Sequence, residues 1–136
     1  MTSTGSPPRR QFAWLLTLGW TLLVAVLSLT PDRDDPGGYN FVWLVHVTPT
    51  LTQKLMHIVC YALLAAAWCW TLRSIEASWR RAAAAFAIAV AFGAAMEVLQ
   101  AFVPGRFGSP YDIGLNALGA FIGAGSFYFA NRAPTR

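Results

Sequence analysis

Four apolar runs, each long enough to cross a bilayer as a helix, constrain this chain more than any other feature. A hydrocarbon core of about 30 Å takes about 20 helical residues at 1.5 Å each. Runs of about that length cover 12–29, 55–72, 82–103 and 113–130, separated by segments rich in charge, Pro or Gly. With 56% hydrophobic and only 12% charged residues in 136, the chain lies outside the balance of a soluble globule. It reads as an all-α integral membrane bundle of four transmembrane helices. The fourth run is Gly-rich, a composition that spanning helices accept. Arg9 and Arg10 before the first run resemble the start of an export signal. The run is nevertheless long and rich in Leu and Trp, no small-x-small cleavage site precedes Pro31, and three further runs come after it, so an anchoring helix is expected.

Lys and Arg in short loops set orientation. Arg9, Arg10, Arg73, Arg80, Arg81, Arg132 and Arg136 fall on one side, and Arg33, Lys54 and Arg106 on the other. Both termini are therefore expected in the cytoplasm, with residues 1–10 and 131–136 poorly ordered around a membrane domain at 11–130. The net charge of +4 is then mainly a topology signal, and no aromatic-interleaved basic patch points to nucleic acid. Cys60 and Cys69 lie nine positions apart in the second run, about 13.5 Å along a helix, too far to pair. Without His or Asp at ligand spacing they make no metal motif, and no cofactor is expected. The longest connection, 31–53, carries a seven-residue apolar stretch at 41–47, too short to span. That stretch is expected at the interface or over the bundle mouth, with His46 in it, Tyr39, Trp43, Phe107 and Tyr111 forming an outer aromatic belt, and Trp68, Trp70 and Trp79 an inner one.

The stretch EVLQAFVPGRFGSPYDIGLN at 97–116 raises the functional question, because it puts polar residues where the apolar runs meet. Under the expected orientation, Lys54, His57, Tyr61, Glu97, Gln100, Arg106, Ser109, Asp112 and Asn116 all fall on the extracytoplasmic side. Helical phase agrees. At about 100° per residue, Lys54, His57 and Tyr61 share a stripe within about 60°, as do Glu97 and Gln100. Asn116 is followed on its own face by Gly119 and Gly123, a spacing that lets helices approach closely. Glu97 lies about 9 Å inside the end of its run, where a lipid-facing carboxylate is unfavourable by up to about 3 kcal/mol. It should turn into the bundle and find a donor among Lys54, His57 and Arg106, with Tyr61, Gln100 and Asn116 completing the hydrogen bonds, or be held as the neutral acid.

Lys54-x-x-His57-x-x-x-Tyr61, Glu97-x-x-Gln100, the turn Pro104-Gly105-Arg106, and Asp112 and Asn116 leading a Gly-containing helix together resemble the VanZ-like family. The resemblance covers about 54–123, and its order and spacing are more specific than any one element. Many members carry an acidic residue just before the lysine; here it is Gln53. The resemblance implies a multi-pass protein of the bacterial cytoplasmic membrane, in a family named for resistance to the glycopeptide teicoplanin, and it supplies no agreed reaction.

The polar set admits three readings. Interhelical bonding alone accounts for single members such as Gln100, Tyr61 and Asn116, and Arg106 in P-G-R fits a turn residue reaching headgroup phosphates. A pocket for a polar or anionic headgroup, such as a lipid-linked cell-wall precursor, is the expected function, with Lys54, Tyr61, Gln100, Arg106 and Asn116 as ligand contacts. As an enzyme, the same pocket would use Glu97 or Asp112 as general acid or base with His57. No nucleophile, zinc or P-loop motif accompanies it. Membrane lipids are the expected partners, a lipid-linked or glycopeptide ligand fits the pocket reading, and a homo-oligomer is compatible with the sequence.

Overall fold

The structure, a computed structural model, describes residues 7–30 and 50–131. Four helices occur in order: α1 (Pro7–Leu29), α2 (Thr50–Thr71), α3 (Ser78–Gln100) and α4 (Pro110–Ala130). Each contains a stretch long and apolar enough to cross a membrane, and no strand occurs among the described residues. The expectations for Arg33, Tyr39, Trp43, His46 and the apolar stretch 41–47 lie outside the described residues, as do 1–6 and 132–136.

The helices begin before the apolar runs because hydropathy marks only the lipid-facing length. α1 starts at Pro7, inside the segment expected to be poorly ordered, with Pro in the first turn where its missing N–H costs no hydrogen bond. α4 likewise starts at Pro110, after an extended Ser109 at the N-cap. At its other boundary α3 stops at Gln100 rather than at 103. Phe102 N–H bonds to the Leu99 carbonyl and Val103 N–H to that of Gln100, both at 3.0 Å, so the chain tightens ahead of Pro104.

α2 is the hub. It packs most extensively on α4, then on α3 and α1. The α2–α4 approach is set by Gly119 and Gly123: a Cβ at either position would overlap the Ile58 or Ala62 carbonyl of α2. Small side chains continue the core, with Ala65, Ala85, Ala89, Ala120 and Ala124 around Leu64. α1 presents Ala13, Thr17, Trp20 and Val24 to its neighbours, a spacing of four, three and four that keeps one face inward.

That face carries a polar seam. Thr17 and Thr71 hydroxyl oxygens lie 2.7 Å apart, Thr17 also bonds the Ala67 carbonyl at 3.1 Å, and Trp20 Nε1 donates to the Cys60 carbonyl at 3.1 Å. Outward, Leu15, Leu22, Val98, Phe121 and Phe129 are exposed, a large apolar perimeter suited to lipid and unsuited to water.

Candidate functional site

Where α1 and α3 end and α2 and α4 begin, the local sequence brings most of the polar set to one end of the bundle. The stripe expected on α2 forms one seam. Lys54 Nζ sits 5.0 Å above the Tyr111 ring of the first turn of α4. One turn further on, His57 Nδ1 lies 2.8 Å from Asn116 Oδ1. Tyr61, one turn deeper and buried, packs against Gly93, where an added Cβ would meet the tyrosine ring at 2.9 Å and the Asn116 side chain at 3.1 Å. Gly93 thus makes room on α3 for Tyr61 and Asn116.

Glu97 does turn into the bundle and is 4% exposed. Its partner is the Ser109 backbone N–H, bonded to Oε2 at 3.0 Å. This places a carboxylate of α3 at the N-terminus of α4, where peptide N–H groups lack helical acceptors and negative charge is favoured. Gly108 permits the approach, since a Cβ there would overlap the Glu97 carbonyl. Asp112 stands in the first turn of α4, so a second acid complements the same helix end.

Gln100 and Arg106 do something the sequence left unseen. Gln100 Nε2 donates to the Ser28 carbonyl at 3.0 Å, Arg106 Nε to that of Thr30 at 3.0 Å, and Arg106 Nη2 to that of Leu27 at 3.5 Å. All three acceptors belong to the end of α1, whose last carbonyls have no helical donors and whose last turn has no basic residue of its own. A cation arriving from 76 positions away supplies both hydrogen bonds and favourable charge. The turn that delivers it has Pro104 and Gly105 at its centre. Arg106 N–H bonds the Val103 carbonyl at 3.0 Å, and Gly105 has φ 77°, the combination of a type II turn that favours glycine.

The result is a layered end. Tyr61, Glu97, Gln100 and Asn116 are buried; Lys54, His57, Arg106 and Asp112 form a half-buried edge around them. Asn116, at 1% exposure, keeps its Nδ2 shielded without a hydrogen-bond partner among the described residues. Phe102 and Phe107 project outward beyond the edge, 81% and 90% exposed. Chemically, the edge offers an ammonium, an imidazole, part of a guanidinium and a carboxylate. The sequence placed Ser109 and Tyr111 at this end without their partners, the Glu97 carboxylate and Lys54, and gave no sign of Gly93. Only S-P-Y-D carried a local signal for the first two, as a Ser at the N-cap and an acid at the third helical position. Cys60 and Cys69 are free thiols on α2.

Among known families, the model described as VanZ/LLP1 matches residues 8–131, nearly the whole chain and therefore α1 as well as the stretch that carries the motifs. No curated protein and no solved structure matches the chain.

Proposed function

The chain belongs to the VanZ/LLP1 family, and on that premise we propose that the polar end of this multi-pass membrane protein binds the anionic or polar headgroup of an envelope lipid. A lipid-linked cell-wall precursor is the headgroup class that fits a cation-edged site at membrane level. In this reading the termini are cytoplasmic, the site faces the outside of the bacterial inner membrane, and the protein alters glycopeptide susceptibility by engaging its ligand. The observation that supports it most is the half-buried edge: Lys54, held over Tyr111, is half-buried one helical turn from His57, and Arg106 is half-buried as well. Arg106 has two of its five donors engaged with α1, so Lys54 is the cation with more freedom to meet a phosphate or carboxylate.

The test compares lipid-linked envelope intermediates and glycopeptide susceptibility in cells with the native protein, no protein, or Lys54→Gln. Lys54→Gln is expected to match the deletion while its membrane level stays normal. If it matches the native protein on both readouts, headgroup binding through this edge is wrong.

A second reading, an acid/base enzyme on the same headgroup, is favoured by one contact. When Nδ1–H of His57 donates to Asn116 Oδ1, the lone pair of a neutral imidazole is left on Nε2, where it can accept a proton. His57→Gln separates the two readings: loss of turnover with the ligand still retained in the purified protein supports catalysis, and loss of retention supports binding. The bonds of Glu97, Gln100 and Arg106 to peptide groups support a third reading, a purely structural cluster, for those three residues.

A further inference from the structure

At the opposite end of the bundle, three arginines meet no comparable set of acceptors among the described residues. The connection from α2 to α3 is short and closed by a turn, Ile75 N–H to the Leu72 carbonyl at 3.0 Å. Arg73 lies on it just past α2, and Arg80 and Arg81 follow it in the first turn of α3. Each guanidinium lies over an aromatic ring: Arg73 over Trp70 at 5.0 Å, Arg80 over Trp79 at 5.3 Å and Arg81 over Phe127 of α4 at 5.3 Å. Ring stacking engages the face of a guanidinium and leaves its N–H edge free to donate in the plane.

Arg81 sharpens this. It is half-buried and has a solvent-shielded Nε with no hydrogen-bond partner among the described residues. A shielded, charged donor without an acceptor is costly. The local sequence provides little compensation: Glu76 is the one acid in 72–81 and it is exposed. The first turn of α3 has no acid, and Ala77 at its N-cap has no side-chain acceptor, so the peptide N–H groups there add to the positive potential. Helices of spanning length put this end at headgroup level, where Trp79, exposed, is of the type enriched at the interface. The acceptor abundant at that depth is the phosphodiester of a lipid.

We propose that this end is a second binding site, separate from the polar end, which holds an anionic phospholipid with Arg81 donating to its phosphate oxygens and Arg73 and Arg80 at its margin. The aromatic rings under the three guanidiniums fix the cations without neutralising them. Acyl chains of the bound lipid lie along the apolar perimeter below.

The test uses the full-length protein reconstituted in nanodiscs containing both phosphatidylglycerol and phosphatidylcholine, then extracted gently so that the lipids retained can be weighed by native mass spectrometry. The native protein is expected to retain phosphatidylglycerol in preference to phosphatidylcholine. Arg81→Gln should reduce that preference about tenfold, the worth of a charge-assisted hydrogen bond. Arg73→Gln and Arg80→Gln should each reduce it about fivefold, as expected for one interfacial cation. Equal retention of both lipids by the native protein, or an unchanged preference in all three variants, overturns the proposal. Displacement of the lipid by millimolar inorganic phosphate also overturns it, because the site then takes free phosphate. Arg80 is exposed, so Arg80→Gln carries the test should Arg81→Gln not accumulate.

Discussion

The two ends of this bundle handle charge in opposite ways. Around Glu97 the ionisable groups meet the protein's own backbone: the carboxylate takes the N–H that opens α4, and Arg106 takes the carbonyls that close α1. Around Arg81 the cations rest on rings, and one nitrogen has no acceptor among the described residues. Self-satisfied charge holds helices in place; unsatisfied charge awaits something outside the chain. The first end is therefore also a mechanical junction of all four helices, which limits what its residues can do besides. Only its half-buried edge, Lys54 and His57 above all, is left to meet a ligand.

Substitutions can break that contrast, beginning with the largest expected effect. Glu97→Leu removes the acceptor of the Ser109 N–H at a buried position, at an expected cost of about 2–3 kcal/mol. Reversible unfolding in mixed detergent micelles measures it, and Glu97→Gln, which keeps an acceptor, should lose less. Arg106→Ala should cost about 1.5–2.5 kcal/mol, from two hydrogen bonds and the helix-end charge of α1. Its signature is local: in a background with Cys60 and Cys69 replaced by Ala, a Ser28→Cys probe should label faster, while a probe on α4 does not. Thr17→Val tests the seam between α1 and α2 and should cost about 1 kcal/mol. Arg73→Gln, at the other end, should leave the unfolding midpoint unchanged in detergent free of anionic lipid. A midpoint drop there as large as that of Glu97→Leu would erase the distinction between the ends.

Much of the architecture was legible because its signals are local and additive. Twenty-odd apolar residues leave little choice but a spanning helix, and the 100° repeat alone put Lys54, His57 and Tyr61 on one stripe, which the structure turns toward α3 and α4. The inward turn of Glu97 followed from the cost of the alternative. What the sequence did not disclose is who receives each donor. A peptide group at a helix end has no letter of its own, so the carbonyls of Leu27, Ser28 and Thr30 and the N–H of Ser109 were invisible as partners, and the expected partners of Glu97 were side chains. Thr17 and Thr71 were missed for a related reason: in an apolar helix a threonine is read as one more small residue, and its hydroxyl gains meaning only when another helix brings an acceptor to it. The interval in sequence added to the difficulty, since α1 offered no motif and its described ties lie in later helices and in the turn between α3 and α4.

That interval bears on how the chain is made. The end of α1 is fastened by residues 72 to 79 positions downstream, so during synthesis the first helix enters the bilayer well before its clasp exists. Until α3 has been inserted and the Val103–Arg106 turn has emerged, the carbonyls of Leu27, Ser28 and Thr30 lack the donors of Gln100 and Arg106. Docking of the first helix is thus completed late in biogenesis, and its attachment depends on the correct insertion of α2 and α3.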